Sequence, residues 1–446
     1  MLTAPTSRFR SFQSDPETMF CVRVRAQLLL HRAFSPSAVP RWTAGSRAPC
    51  SSSADSQDPG PSMLKHLTSK IKATGPITVA EYMKEVLTNP VTGYYVRGDM
   101  LGPDGDFITS PEISQIFGEL IGVWIISEWM GAGPTPAAAA GGAGTWKRIP
   151  GCRHPQSFQS VEAQRLTGSQ EWPSSDGPVY LRGETPAGLP VSWYRRLEDV
   201  PSGFSIFVAH EFFDALPVHK FQRTDRGWRE VMVDIDPREP QQLRFVLAPS
   251  LTLASSVLVQ AGERRDHLEV CAEAGVIVQQ LARRISENGG AALIADYGHD
   301  GTKTDTLRSF KNHQLHHVLS SPGSADLTAD VDFSYIRRMA GESVTCLGPV
   351  TQKTFLKNMG VDVRMQVLLR NCSDPSTRKQ LISSYDMLTS PTKMGERFHF
   401  FSLLHPSRFS KPVISTGLNL DRTKSPASLP VAGFTELSCP QEVQKS

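Results

Sequence analysis

Residues 98–130 read GDMLGPDGDFITSPEISQIFGELIGVWIISEWM, and they predict a turn-rich loop that leads into a helix. The glycines and the proline at positions 102, 103 and 105 favour turns. Thr109 or Ser110 can cap the helix, Pro111 suits its first position, and Glu112 faces the positive end of the helix dipole. Apolar residues then recur at helical spacing, which predicts one buried face: Ile113, Ile116, Phe117, Leu120, Ile121 and Trp124.

This stretch has two interpretations. A short loop fixed by a capped and buried helix brings hydroxyls, carboxylates and free backbone N–H groups to one rigid place, as a binding site requires. The alternative is a well-capped core helix that follows an ordinary surface loop. Considered on the residues alone, the stretch favours the second interpretation.

The composition is that of an ordinary globular protein. Its 446 residues are 39% hydrophobic and 20% charged, which predicts one large domain or two modest ones. A net charge of +3 gives no reason to expect a nucleic-acid partner. No apolar run approaches the ~20 residues of a membrane span. The seven cysteines are widely spaced without a CxxC motif, which argues against a zinc site or a disulfide framework.

The two ends of the chain differ from its middle. Residues 1–62 contain seven arginines, no lysine and many serines, and the run MFCVRVRAQLLLHRAF at 19–34 mixes arginine with apolar residues. This combination predicts a mitochondrial transit peptide, and a disordered, non-targeting leader is the alternative. The Ser- and Pro-rich residues 406–446 predict a disordered tail. A single domain is expected over 63–405.

Within that domain, strands alternate with helices, which predicts an α/β doubly wound sheet. FSIFVA at 204–209 predicts a buried strand, and 228–236 with 243–249 predict a β-hairpin added to the sheet. Residues 267–290 predict a helix, and 291–295 predict another buried strand. VTCLGPV and FHFFSLL, near residues 344 and 398, predict late strands.

Two carboxylates follow the strand at 204–209, where ligands sit in open parallel sheets. Glu211 and Asp214 could hold a guanidinium group, because each carboxylate accepts paired N–H bonds and can orient a nitrogen for reaction. The alternative is a capped loop whose acids are solvated or paired with Lys220. His210 and His219 are expected to be structural. After the second strand, Asp296 and His299 are either site residues or turn formers.

Several motifs carry a resemblance to a known family. GPDGDFITSPEISQIFGELIG (102–122), AHEFFDALPVHKFQ (209–222), ADYGHDGTKTDTLRSF (295–310) and KMGERFHFF (393–401) are long and specific. They resemble the MidA family, mitochondrial S-adenosylmethionine-dependent methyltransferases that serve the assembly of respiratory complex I. The resemblance extends over about residues 63–405, except for 131–176.

The resemblance implies a Rossmann-like methyltransferase fold with a helical N-terminal addition and a β-hairpin insertion. It implies S-adenosyl-L-methionine as cofactor, no metal, and type II (symmetric) dimethylation of an arginine on a complex I subunit in the mitochondrial matrix. Glu211 and Asp214 would then be catalytic. The residues expected to bind the cofactor are Asp104, Thr109, Ser110, Pro111, Glu112 and Glu162.

Residues 131–177 depart from this pattern. They are rich in Gly, Pro, Ala and Ser without a helical or strand period, which predicts a loop or disorder. The family should have a core strand here, then an E-x-G-x-G-x-G turn that approaches the cofactor. The glycines at 131–133 and 141–144 follow no apolar strand and match weakly. A non-catalytic complex I assembly protein that has lost its cofactor turn is therefore the alternative function. A nicotinamide dehydrogenase is disfavoured, because no strand–GxGxxG–helix unit occurs.

Overall fold

The computed structural model describes residues 60–96, 109–132, 179–184, 190–194, 196–410 and 430–435. The described residues form an α/β arrangement with a main sheet, a second five-stranded sheet and two smaller ones. Among the helices in these ranges, none has both the length and the apolar character that crossing a bilayer demands.

The main sheet combines parallel and antiparallel strands. It contains β4 (Ser205–His210), β9 (Gly290–His299), β13 (Val331–Asp332), β14 (Thr345–Thr351) and β15 (Phe398–Leu404). Strand β4 runs parallel to β9, and β15 pairs antiparallel between β9 and β14. These pairings confirm the strands predicted at 204–209 and 291–295 and the two late strands.

Helices cover both faces of this sheet, because β9 alternates apolar residues between them. Ala292 and Ile294 pack with α6 (Ala272–Asn288) and α7 (Phe333–Ala340). Leu293 and Ala295 lie in the opposite core. The helices of that core are α4 (Gln115–Gly131), α8 (Gln352–Asn358), α9 (Val361–Asn371) and α10 (Pro375–Thr389).

The second sheet differs from the prediction in two respects. Strands β6 (Gly227–Ile235) and β7 (Leu243–Leu247) form the predicted hairpin. Strand β6 also pairs with β5 (His219–Thr224) and β1 (Ile77–Thr78), so the hairpin belongs to the second sheet and not to the main sheet. Residues 267–270, predicted as helix, form strand β8 (His267–Val270) because they pair with β5. The helix starts only at Ala272, with Cys271 as its cap.

The N-terminal helices rest on this second sheet, as a helical addition. They are α1 (Gly60–Thr74) and α2 (Val79–Thr88), and their buried residues share one core with β6. The Thr78 hydroxyl caps α2 by accepting the N–H of Glu81 at 3.0 Å. The remaining described elements are α5 (Leu253–Leu258), α11 (Ser407–Ser410), β2 (Val179–Glu184), β3 (Pro190–Tyr194), β10 (Arg308–Lys311), β11 (Gln314–His316) and β12 (Asp326–Thr328).

The helix predicted after the loop at 98–109 is broken. A single turn, α3 (Ser110–Ile113), ends at Ser114, whose extended backbone separates it from α4. The Ser114 hydroxyl accepts the N–H of Ile116 at 3.3 Å and so caps the second helix. The predicted apolar face is confirmed, since Ile116, Phe117, Leu120 and Trp124 are buried.

Parts of the tail that the sequence predicts to be disordered are packed on the main core. Helix α11 carries Arg408, whose Nε donates to Glu128 Oε2 at 2.9 Å. Val431 is buried in the core that contains α4 and α8. The Ser/Pro-rich composition conceals these anchors, because a few residues with distant partners are enough to fix a polar segment.

Candidate active site

The candidate site begins where β4 ends. The N–H of Glu211 donates to the Ala295 carbonyl at 3.0 Å, which continues the pairing of β4 with β9 by one residue. Glu211 itself has φ 48°, in the left-handed region that non-glycine residues rarely adopt. Such strain concentrates at functional positions. This conformation turns the chain sharply just as it leaves the sheet.

Asp296 on β9 fixes the turn that follows. Its Oδ2 accepts the N–H groups of Phe212 at 3.1 Å, Phe213 at 2.9 Å and Asp214 at 3.4 Å. Its Oδ1 accepts the N–H of Tyr297 at 2.9 Å. Asp296 is 0% exposed, so these bonds lie away from water. The aspartate therefore sets the direction in which Glu211 and Asp214 leave the sheet.

The buried position of Asp296 changes its protonation. Burial raises the pKa of Asp296 well above its ordinary value, and the negative charges of Asp214 and Glu211 raise it further. The N–H groups of Phe212 and Phe213 act in the opposite direction, because they favour the carboxylate. Three acids thus share one small volume at the edge of the sheet.

We expect this crowding to make stability depend on pH. Because the pKa of Asp296 is higher in the folded than in the unfolded chain, the folded chain binds more protons between those two pKa values. Its unfolding free energy should then fall as pH rises from about 4, the pKa of an unfolded aspartate. Urea unfolding of wild type and Asp296→Asn from acidic to neutral pH measures this. The wild type should lose stability relative to the variant as pH rises, and a constant difference would contradict the expectation.

Asp214 is tied to the strand beside it. Its Oδ2 accepts the Thr328 hydroxyl at 2.8 Å, and its carbonyl accepts the N–H of Ala329 at 2.9 Å. Lys220, the alternative partner that the sequence suggested, lies instead against Glu269 and Asp305. The two predicted carboxylates therefore belong to one turn, and Asp214 is the more deeply fixed of them.

The loop–helix junction at 109–113 meets this turn. The N–H of Ser110 lies 3.4 Å from Glu211 Oε1, as donor to acceptor. The Ser110 hydroxyl is buried and has no hydrogen-bond partner among the described residues. By contrast, Thr109 donates its N–H and its hydroxyl to the Glu112 carboxylate, at 2.8 and 3.0 Å, and Pro111 is exposed. Ser110 is thus the member of this group best placed to meet a polar ligand.

Aromatic rings lie beside Glu211. The His210 Nε2 lies 3.4 Å from Glu211 Oε1. Its ring contacts Phe117 at 5.1 Å between centroids and lies parallel to Phe398 at 6.4 Å. The ring of Tyr297 meets Phe398 at 3.9 Å. A cluster of aromatic rings therefore lies beside Glu211.

Other candidates lie elsewhere in the structure or outside the described residues. His219 Nδ1 is 2.7 Å from the buried Glu230, and His299 Nδ1 accepts the N–H groups of Thr302 and Lys303, so both have structural roles. Asp104, Glu162 and the glycines at 133 and 141–144 lie outside the described residues. In the described part of the chain, no three acidic, histidine or cysteine side chains are placed to hold a metal ion.

Sequence reasoning missed Tyr297 and Thr328. Tyr297 stands beside Asp296 in the quoted motif, and Thr328 lies on β12, 114 residues in sequence from its partner Asp214. Both could have been found by asking which side chains flank a candidate acid on neighbouring strands. Together the site offers carboxylates for a cation, a buried hydroxyl and a cluster of aromatic rings.

Known proteins are similar to this chain over most of its length. A family model described as S-adenosyl-L-methionine-dependent methyltransferase matches residues 155–350. The relative "Protein arginine methyltransferase NDUFAF7, mitochondrial" from Danio rerio is 58% identical over 420 residues, which covers 89% of this chain and 96% of the relative. The protein of the same name from Homo sapiens is 54% identical, with 86% and 91% covered.

A solved structure supports the fold. A COG1565 superfamily protein from Burkholderia thailandensis, bound to S-adenosyl-homocysteine, superposes with a TM-score of 0.57 at 23% identity. It covers 80% of this chain and 95% of its own. The predicted Rossmann-like methyltransferase fold is thereby confirmed. The chain belongs to the MidA family of S-adenosylmethionine-dependent methyltransferases.

Proposed function

We propose that this chain methylates an arginine side chain on a subunit of mitochondrial complex I and is needed for the assembly of that complex. The product is symmetric dimethylarginine, as in a type II enzyme, and the site of action is the mitochondrial matrix. The arginine-rich, lysine-free residues 1–62 act as the transit peptide. The names of the relatives, which include both "arginine methyltransferase" and "mitochondrial", support the proposal.

The observation that carries the proposal is the pair of carboxylates on one turn. Glu211 and Asp214 leave the sheet together because Asp296 binds the N–H groups between them. A guanidinium group is planar and rich in N–H donors, so adjacent carboxylates hold it in a fixed orientation. When a guanidinium nitrogen gains a methyl group, it gives up one proton. A carboxylate that is hydrogen-bonded to that nitrogen can accept this proton.

The cofactor would lie on the Ser110 side of the turn. S-adenosylmethionine supplies an electrophilic methyl group when bound. The buried hydroxyl of Ser110 fits a polar part of such a ligand, because it has no other partner among the described residues. Thr109, Pro111 and Glu112 shape the backbone around Ser110, and we assign Asp104 and Glu162 to the same pocket on resemblance alone. Fixed orientation of the guanidinium supplies most of the rate.

The experiment combines binding with a choice of substrates. S-adenosyl-homocysteine is titrated into the purified chain by calorimetry. Tritiated S-adenosylmethionine is then supplied with complex I subunits from mitochondria that lack this protein, and mass spectrometry identifies the modified residue. Subunits from normal mitochondria are the control, since their target should already be methylated. Symmetric dimethylarginine on one subunit is expected.

The other outcomes are informative in different ways. Label on lysine, or asymmetric dimethylarginine, would contradict the proposed product. Binding of S-adenosyl-homocysteine without any transfer would favour the alternative, a non-catalytic assembly protein. No binding by a chain that melts cooperatively would exclude catalysis by this chain.

A further inference from the structure

Tyr297 lies beside the candidate site, and the proposed mechanism gives it no role. It lies two residues beyond Ala295, whose carbonyl accepts the Glu211 N–H. Side chains alternate along a strand, so Tyr297 and Asp296 leave β9 on opposite faces. Asp296 lies under the turn at 212–214, and Tyr297 lies on the other side with His210 and Phe398.

The ring of Tyr297 is held on two sides. Phe398 contacts it with centroids 3.9 Å apart. The guanidinium of Arg308 lies 5.3 Å from the ring centroid. Arg308 is itself fixed, because it donates to Asp330 at 2.5 Å and to the Thr306 carbonyl at 3.1 Å. A ring that is clamped in this way presents its hydroxyl in one direction.

The hydroxyl is neutral and available. Burial and the negative charges of Glu211 and Asp214 raise the pKa of Tyr297, so the phenol keeps its proton at physiological pH. The ring is also linked to Glu211 through its neighbours, because Phe398 contacts Tyr297 and lies parallel to His210, and His210 Nε2 is 3.4 Å from Glu211 Oε1. Its oxygen makes no hydrogen bond to any residue in the described ranges, and it is not fully enclosed by them.

We propose that the Tyr297 hydroxyl positions the substrate guanidinium by accepting one of its N–H bonds while Glu211 and Asp214 accept others. The inference rests on the proposed arginine methylation. A guanidinium has five N–H donors, so two carboxylates leave donors to spare. A neutral acceptor suits the third contact, because another negative charge would hold the group more firmly as a cation and make its nitrogen a poorer nucleophile.

The test removes the hydroxyl and keeps the ring. Wild type and Tyr297→Phe are compared on the arginine peptide that the wild type methylates best, at saturating S-adenosylmethionine. The KM for the peptide should rise about tenfold, as expected for the loss of one hydrogen bond to a charged group. The affinity for S-adenosyl-homocysteine should change far less, and kcat should fall by a smaller factor than KM rises, because Glu211 and Asp214 still orient the guanidinium. Tyr385→Phe is the matched control, since its hydroxyl donates to Asp362 at 2.5 Å on α9.

Each outcome decides the inference. An unchanged peptide KM in Tyr297→Phe, with an active wild type, would overturn the role of Tyr297 and leave the proposed function standing. An equal loss of affinity for S-adenosyl-homocysteine would assign Tyr297 to the cofactor pocket instead. A wild type that binds S-adenosyl-homocysteine but methylates no arginine would overturn both proposals together.

Discussion

Glu211→Gln should lower kcat for arginine methylation by about a hundredfold or more, the size of effect seen when one charge-stabilising group is removed from an active site. Glutamine keeps the length of the side chain and one acceptor oxygen. It loses the negative charge and places an NH₂ group toward a substrate that offers only N–H donors. The repulsion between donors prevents the paired contact that orients the guanidinium.

Binding of the cofactor should survive this change. Glu211 touches the Ser110 N–H only through a long 3.4 Å contact, which the amide oxygen of glutamine can replace. The affinity for S-adenosyl-homocysteine, measured by calorimetry, is therefore expected to stay close to that of wild type. Glu342→Gln is the charge-matched control, because Glu342 is exposed after α7. Unchanged turnover in Glu211→Gln would remove this residue from the mechanism.

The sequence predicts the place of Glu211 because the signal is local. A short apolar run followed by a polar turn indicates a buried strand and its carboxyl end, and both acids lie within five residues of that end. The apolar face of α4 is predictable for the same reason. In each case neighbouring residues along the chain carry the whole pattern.

The role of Asp296 is not predictable in this way. It depends on the register of β4 against β9, which brings residue 296 under residues 212–214 across more than 80 positions of sequence. An aspartate at a strand end can equally stabilise a turn. His299, at the end of the same strand, has that role, because its Nδ1 accepts the N–H groups of Thr302 and Lys303. Only the paired strands decide between the two roles.

Local patterns also mislead where tertiary pairing overrides them. His267–Val270 precedes a helical pattern without a break, yet it forms a strand because β5 offers a partner. The break at Ser114 is hidden for a related reason. Ile113 and Ile116 keep helical spacing across it, although the backbone between them is extended. Hydrophobic spacing reports which residues are buried more reliably than where an element begins.

The tail is the segment whose composition misleads most. Arg408 and Glu128 form an ion pair whose side chains are only 6% and 2% exposed, 280 residues apart in sequence. Arg408→Met should lower the unfolding free energy by about 3–5 kcal/mol, because it leaves the Glu128 carboxylate buried without its cation. Urea unfolding measures the loss as a lower midpoint.

A second ion pair of α4 is the control, because it has the same charges but is more exposed to solvent. Arg364 pairs with Glu119 of α4 at 2.7 Å, but these side chains are 40% and 31% exposed. Arg364→Met should therefore cost less than about 1 kcal/mol. The double variant Glu128→Met with Arg408→Met should recover much of the lost stability, since paired removal of a buried ion pair is often nearly neutral. If Arg408→Met costs no more than Arg364→Met, the tail does not anchor the fold.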